Sequence, residues 1–147
     1  MTPIERNLDR LARTVWGEAR GESDLGRLAV AYVPITRAEI AARFVAATGR
    51  QRHPLYGDGT VASACLMPWQ FSCWNESDPN LPKLLALDLE SEEAQPSVWA
   101  AETALAGTVR DPTGGATHYH AKGIMPSWAM GATPTTIINN HVFYRLG

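Results

Sequence analysis

Cysteine is scarce in this chain. Cys65 and Cys73 are the only two, too few for a disulfide framework, and they either pair or serve as small buried hydrophobes. Charge of one sign is also missing. The formal net charge is -2 and no cluster of Lys or Arg stands out, so there is no electrostatic footprint for tracking phosphates and nucleic acid is not an expected partner. No long hydrophobic run occurs: the longest, Leu28 to Ile35, falls far short of the about 20 residues that a spanning helix needs, which excludes membrane insertion. The N-terminal MTPIERNLDRLART lacks the basic start, apolar core and cleavage site of a signal peptide, so a protein cytoplasmic as synthesised is expected. Neither HExxH nor CxxC is present, which removes the usual zinc frameworks.

What remains is 45% apolar and 19% charged without low-complexity stretches, the composition of a globular protein. At 147 residues a single domain, 1–147, is expected. Thr2-Pro3-Ile4-Glu5 reads as an N-cap, a proline at the first helical position and a capping-box glutamate. The stripe Leu8, Leu11, Ala12, Val15, Ala19 carries that helix to about Gly21. Ser23 or Asp24 can cap a second helix, which Pro34 should break or kink. Thr36-Arg37-Ala38-Glu39 is another capping box, predicting a third helix to Thr48 and Gly49. Residues 50–82 read as long loops with brief strands around Val61 to Leu66. Val98 to Ala106 is predicted helical, DPTGG at 111–115 a turn, and the tail TTIINNHVFYRL the best strand candidate. Helices first and a small β-element later predict an α+β, mostly helical architecture.

Four groups of residues could carry chemistry. In WGEARGE, Trp16 to Glu22, Glu18 falls at the edge of the apolar stripe and Glu22 follows one turn on if the helix persists. They are either a solvated pair or an acid and its companion; an apolar wall that includes Trp16 would favour a protonated Glu18. Gly17 and Gly21 each weaken a helix, which suggests close approach to the backbone on both sides of Glu18. QFSCW, Gln70 to Trp74, mixes an amide, a hydroxyl and aromatics as sugar sites do, or is a strand with Phe71 and Cys73 inside. THYH, Thr117 to His120, supplies two imidazoles where a zinc site needs three or four ligands, and is better read as a hydrogen-bonding strand with His118 and Tyr119 on opposite faces. Cys73 with His118 or His141 could form a nucleophile pair, but no helix start or flanking cation marks Cys73 as a thiolate.

Taken together, LARTVWGEARGE, QFSCW, GGATHYHA and NNHVFYR resemble, in order and approximate distance, the SleB-type cell-wall hydrolases, a family of spore-cortex-lytic enzymes and phage lysis proteins. The resemblance covers nearly the whole chain and implies a lysozyme-like, lytic-transglycosylase-like domain. It implies peptidoglycan as substrate, cleavage between N-acetylmuramic acid and N-acetylglucosamine, and no cofactor. Glu18 corresponds to the family's catalytic glutamate and Glu22 to the second glutamate of the motif, expected to be supporting, with His141. Gln70, Phe71, Ser72, Trp74, Thr117, His118 and Tyr119 are the expected groove. Val33-Pro34-Ile35-Thr36-Arg37 departs from the family's V-[VI]-[LI]-N-R, which puts helix continuity in question and admits an inactive member with a deformed groove. A lytic transglycosylase is expected. The alternatives are a hydrolytic N-acetylmuramidase, a Cys/His wall peptidase, and a non-catalytic wall-binding module. A monomer is expected, reaching the wall through a holin, an export system or a phage particle.

Overall fold

A computed structural model describes residues 1–147. Five helices, α1 (Pro3–Ala19), α2 (Asp24–Thr48), α3 (Val61–Leu66), α4 (Leu81–Ala86) and α5 (Gln95–Ala106), precede a sheet of β1 (His118–Ala121), β2 (Thr136–Ile138) and β3 (His141–Tyr144). The architecture is α+β and mostly helical. The capping box at Thr2 and Glu5 forms on both sides, at 3.1 Å each way, and Ser23 caps α2 through the Gly26 N–H. The apolar faces of α1, α2 and α5 meet in one core that includes Leu11, Val15, Leu28, Val30, Val33 and Ala101.

Pro34 does not end the helix: α2 runs through it to a left-handed cap at Gly49. A proline there removes one intrahelical bond, at a cost of about 3 kcal/mol. The surrounding stretch, Leu28 to Pro34, is buried, and packing on this scale outweighs the local defect. Thr36 therefore lies inside α2 and caps nothing. The brief strand expected at Val61 to Leu66 is also corrected: it is α3, capped by the Thr60 hydroxyl on the Ser63 N–H and anchored by Asn7 on the Ala62 N–H. Its β-branched start misled, while Ala62, Ala64 and Cys65 bury the helical face.

The sheet is antiparallel in the order β1-β3-β2. The tail is thus a hairpin with Ile138 paired to His141, and Asn139 turns it at φ 50, a positive value that asparagine tolerates and that suits the first central position of a two-residue turn. Central β3 is buried along its length. Phe143 joins the helical core, while Val142 and Tyr144 pack under Ala129 and Leu146. QFSCW is not a strand. Phe71 is extended and Ser72–Trp74 form a 3-10 turn that buries Cys73.

Candidate active site

The C-terminal end of α1 meets the sheet through two glutamates with different environments. Helix α1 stops at Ala19, so Glu22 is not one turn further along the same helix, as the spacing of four had suggested. It lies in the turn before α2, its side chain only 8% exposed. One oxygen accepts the Asn140 N–H and the other the Asn140 amide, both at 3.1 Å. His141 Nδ1 stands 3.1 Å from Glu22 as well, a close contact not aligned as a hydrogen bond. Ser23 reaches Asn139. This turn therefore clips the hairpin tip onto the helices.

Glu18 instead faces an open hollow of about 490 Å³, with Gln70, Ser72, Tyr119 and His141 on its walls. The Tyr119 phenol donates to Glu18 Oε1 at 2.6 Å. Burial, reinforced by the Glu18 charge, pushes that phenol well above its ordinary pKa, so Tyr119 stays a neutral donor. Gly17 lets this corner close: a Cβ there would sit 2.6 Å from Cys73 Cβ and 2.9 Å from its Sγ. Close approach was expected at Gly21 too, but nothing lies within 4 Å of a Cβ built there.

Arg37 ties three segments together. It is 4% exposed, donates through Nε to the Thr117 carbonyl at 2.8 Å and through Nη1 to Gln70 Oε1 at 2.9 Å, and lies 4.9 Å from the centre of the Phe71 ring. Burial lowers its pKa, yet a guanidinium remains charged. Its cationic head forms no ion pair with a carboxylate, so a buried positive charge stands at the wall of the Glu18 hollow. The turn Asp111–Gly115 delivers β1 to this point, with Asp111 accepting from the Thr113 N–H at 2.8 Å and its hydroxyl at 2.7 Å.

Gln70, Ser72, Tyr119 and His141 line the same hollow as Glu18, and His118 lines the adjoining one. Three expected groove residues are elsewhere. Phe71, 1% exposed, is core. Trp74 donates its indole N–H to the Thr14 hydroxyl and borders a neighbouring hollow with Leu66, Trp69 and Asn75 rather than that of Glu18. Thr117 is buried; its hydroxyl bonds the His118 ring and the Leu146 N–H. Trp16 is also absent from the wall beside Glu18, packing instead under Arg20 and toward Leu87. Alternation explains the split in QFS: Gln70 and Ser72 point out because Phe71 points in.

Arg37, Trp69 and Trp128 were missed. Arg37 had a signal, since it falls in the apolar stripe Val30, Val33, Ala41 of α2, where a charge is out of place. Trp69 sits in a turn and Trp128 in the 3-10 turn Ser127–Ala129, segments too short for periodicity to expose them. Cys73 is a poor nucleophile: burial foremost, with the Glu18 charge, pushes its thiol far up, and no histidine bonds it. Both cysteines are free. A larger hollow of about 570 Å³ among Glu39, Arg43 and Arg145 contains neither Glu18 nor Tyr119, so size alone does not mark the site.

The sequence profile of the family described as Cell Wall Hydrolase matches residues 21–144, a span that includes Glu22 and begins three residues after Glu18. The catalytic domain of the Bacillus cereus SleB protein superposes with a TM-score of 0.67, at 24% identity over 96% of this chain and 91% of that one. The catalytic domain of SleB from Bacillus anthracis, described as a germination-specific lytic transglycosylase, superposes with a TM-score of 0.68, at 25% identity over 96% of this chain and 95% of that one. No curated protein matches the chain in sequence.

Proposed function

The chain belongs to the cell wall hydrolase family and is an enzyme that acts on the cell wall; from that premise we propose that residues 1–147 form one catalytic domain, a lytic transglycosylase of peptidoglycan with Glu18 as its acid and base. The bond it opens joins N-acetylmuramic acid to N-acetylglucosamine. The observation that carries this reading is the solitude of Glu18: it is the only carboxylate on the walls of its hollow and of the adjoining one. A glycosidase that hydrolyses normally sets two carboxyls across the bond, about 5 Å apart when retaining and about 6.5–9.5 Å when inverting. Glu22 does not supply the second, because both its oxygens are engaged by the hairpin tip.

One carboxyl used twice fits an intramolecular route. Oε1 already accepts from Tyr119, so the proton of the acid form resides on Oε2 and passes to the glycosidic oxygen as the C1–O bond breaks. The released strand end leaves as an alcohol, and positive charge develops at C1 of the muramic residue. Glu18, now a carboxylate, takes the proton of that sugar's own 6-hydroxyl, whose oxygen bonds to C1 and closes a 1,6-anhydro ring. The acid is thereby regenerated without a second residue. Tyr119 holds the carboxyl in one orientation through both halves.

The test is mass spectrometry of soluble fragments released from purified peptidoglycan by the wild type and by Glu18→Gln. Anhydromuramyl ends that vanish in the variant are expected. Reducing muramyl ends would make the enzyme a muramidase, and fragments undiminished in Glu18→Gln would remove Glu18 from the chemistry.

A further inference from the structure

We propose that Trp69 is a sugar-stacking platform that holds the glycan strand across a second saccharide subsite, the hollow between Tyr56, His118 and Trp128. The proposal rests on the glycan-cleaving reading of Glu18 and adds to it a residue and a place. Trp69 is anomalous in two independent ways. The residue stands 84% exposed, although tryptophan has much to gain from burial. Its backbone has φ 67, a left-handed conformation that strains any residue with a Cβ.

Local turn chemistry does not account for it. The Gln70 N–H bonds the Met67 carbonyl at 3.2 Å, so Pro68 and Trp69 are the central residues of a tight turn. Proline suits the first of them, and the positive φ of the second is the position where glycine is favoured. A bulky ring there gives the fold neither an unstrained turn nor buried area. Its use lies outside the fold.

The surroundings say what would meet it. The Glu18 hollow and a second of about 360 Å³ share Arg37, Trp69, Gln70, Tyr119 and Trp128, and both fall in the usual size range of ligand sites, about 300–1,000 Å³. Trp69 and Trp128 stand on the common rim. Trp128 is braced by His118 at 5.1 Å, His120 at 5.8 Å and Tyr144 at 5.3 Å between ring centres. Trp69 has no aromatic brace of this kind and offers its ring to a guest. A pyranose presents an apolar C–H face and a polar rim. The first suits the indole, and the second suits the Gln70 amide and the His118 imidazole on the same walls. The polymer that occupies the Glu18 hollow must continue into a neighbouring one, and this hollow adjoins it along the five residues they share.

The test compares Trp69→Gly, Trp69→Phe and Glu18→Gln. Fragment release is followed on purified peptidoglycan, thermal unfolding on each protein, and binding of peptide-free glycan strands by quenching of tryptophan emission in the Glu18→Gln background. Trp69→Gly should unfold at or above the wild-type temperature, because glycine relaxes the turn. It should nonetheless lose about tenfold in kcat/KM, mainly through KM, and bind glycan about tenfold more weakly. Trp69→Phe should recover most of the loss. Wild-type release and binding in Trp69→Gly, with Glu18→Gln inactive, would overturn the platform and leave the Glu18 reading intact. A fall in unfolding temperature that matches the activity loss would make Trp69 structural. An active Glu18→Gln would overturn both.

Discussion

Gly17→Ala is a change that helix propensity alone would recommend. Alanine in the last turn of α1 should gain about 1 kcal/mol over glycine. The site forbids it. The added methyl would stand 2.6 Å from Cys73 Cβ, 2.9 Å from Cys73 Sγ and 3.5 Å from Leu84 Cδ1. Cβ is fixed to the backbone of the 3-10 turn, so the side chain cannot simply rotate away, and α1 or that turn must move. Overpacking of this kind costs about 1–3 kcal/mol. Subtracting the propensity gain leaves a net loss of about 1 kcal/mol, to be read as a lower urea midpoint with an unchanged slope. The movement also falls on Glu18, the next residue, so fragment release from peptidoglycan should drop further than stability does. Cys73→Gly removes both clashing atoms, and in that background Gly17→Ala should become neutral or stabilising. Cys73→Ala keeps the Cβ and should not rescue. A Gly17→Ala protein as stable and active as the wild type would refute the packing argument.

Removing the hairpin clip by Glu22→Ala should cost about 1 kcal/mol, because it deletes the two hydrogen bonds from Asn140, an exposed residue whose donors water can then satisfy; faster hydrogen exchange at the Asn140 amide is the local readout, and unchanged protection would contradict it. Tyr119→Phe keeps the partly buried ring and deletes one hydrogen bond to a carboxylate, so it should fold normally and lose about tenfold or more in kcat with less change in KM. Full kcat in that variant would show that Glu18 needs no such orientation. Burial, with the nearby Arg37 charge, lowers the His118 pKa from 6.5 to about 4. The unfolded chain therefore takes up this proton first, and the stability His118 contributes is complete above pH 6.5 and lost as pH falls toward 4. Urea midpoints should fall more steeply over that window in the wild type than in His118→Gln, and parallel curves would refute the assignment.

Much of the fold was legible because it depends on neighbours in sequence. The capping box at Thr2, the stripe of α1, the cap at Ser23, the helix near Val98 and the β-rich tail are all short-range signals, and each appears in the structure. Glu18 at the margin of its stripe was legible for the same reason, since a period of 3.6 places it there. Three misreadings had one cause: each was decided by burial. Pro34 continues α2 because the segment around it is packed on several sides. Val61 to Leu66 is helical because Ala62, Ala64 and Cys65 are buried together in that form. Phe71, Trp74 and Thr117 left the expected groove because core volume and hydrogen bonds to distant residues claimed them.

Sequence by itself determined the mostly helical architecture and the run of motifs through local periodicity and residue chemistry, and the family resemblance those motifs carry nominated Glu18, Gln70, Ser72, His118, Tyr119 and His141. The tertiary structure decided which of two glutamates faces the cleft. Glu22 is withdrawn by Asn140, a residue 118 positions away in the chain, and Glu18 is oriented by Tyr119, 101 positions away. It also brought Arg37 and Trp69 to the site, from a helix interior and a strained turn. Pairings across such separations depend on how the helices and the sheet close on one another, and no window of local sequence contains that information.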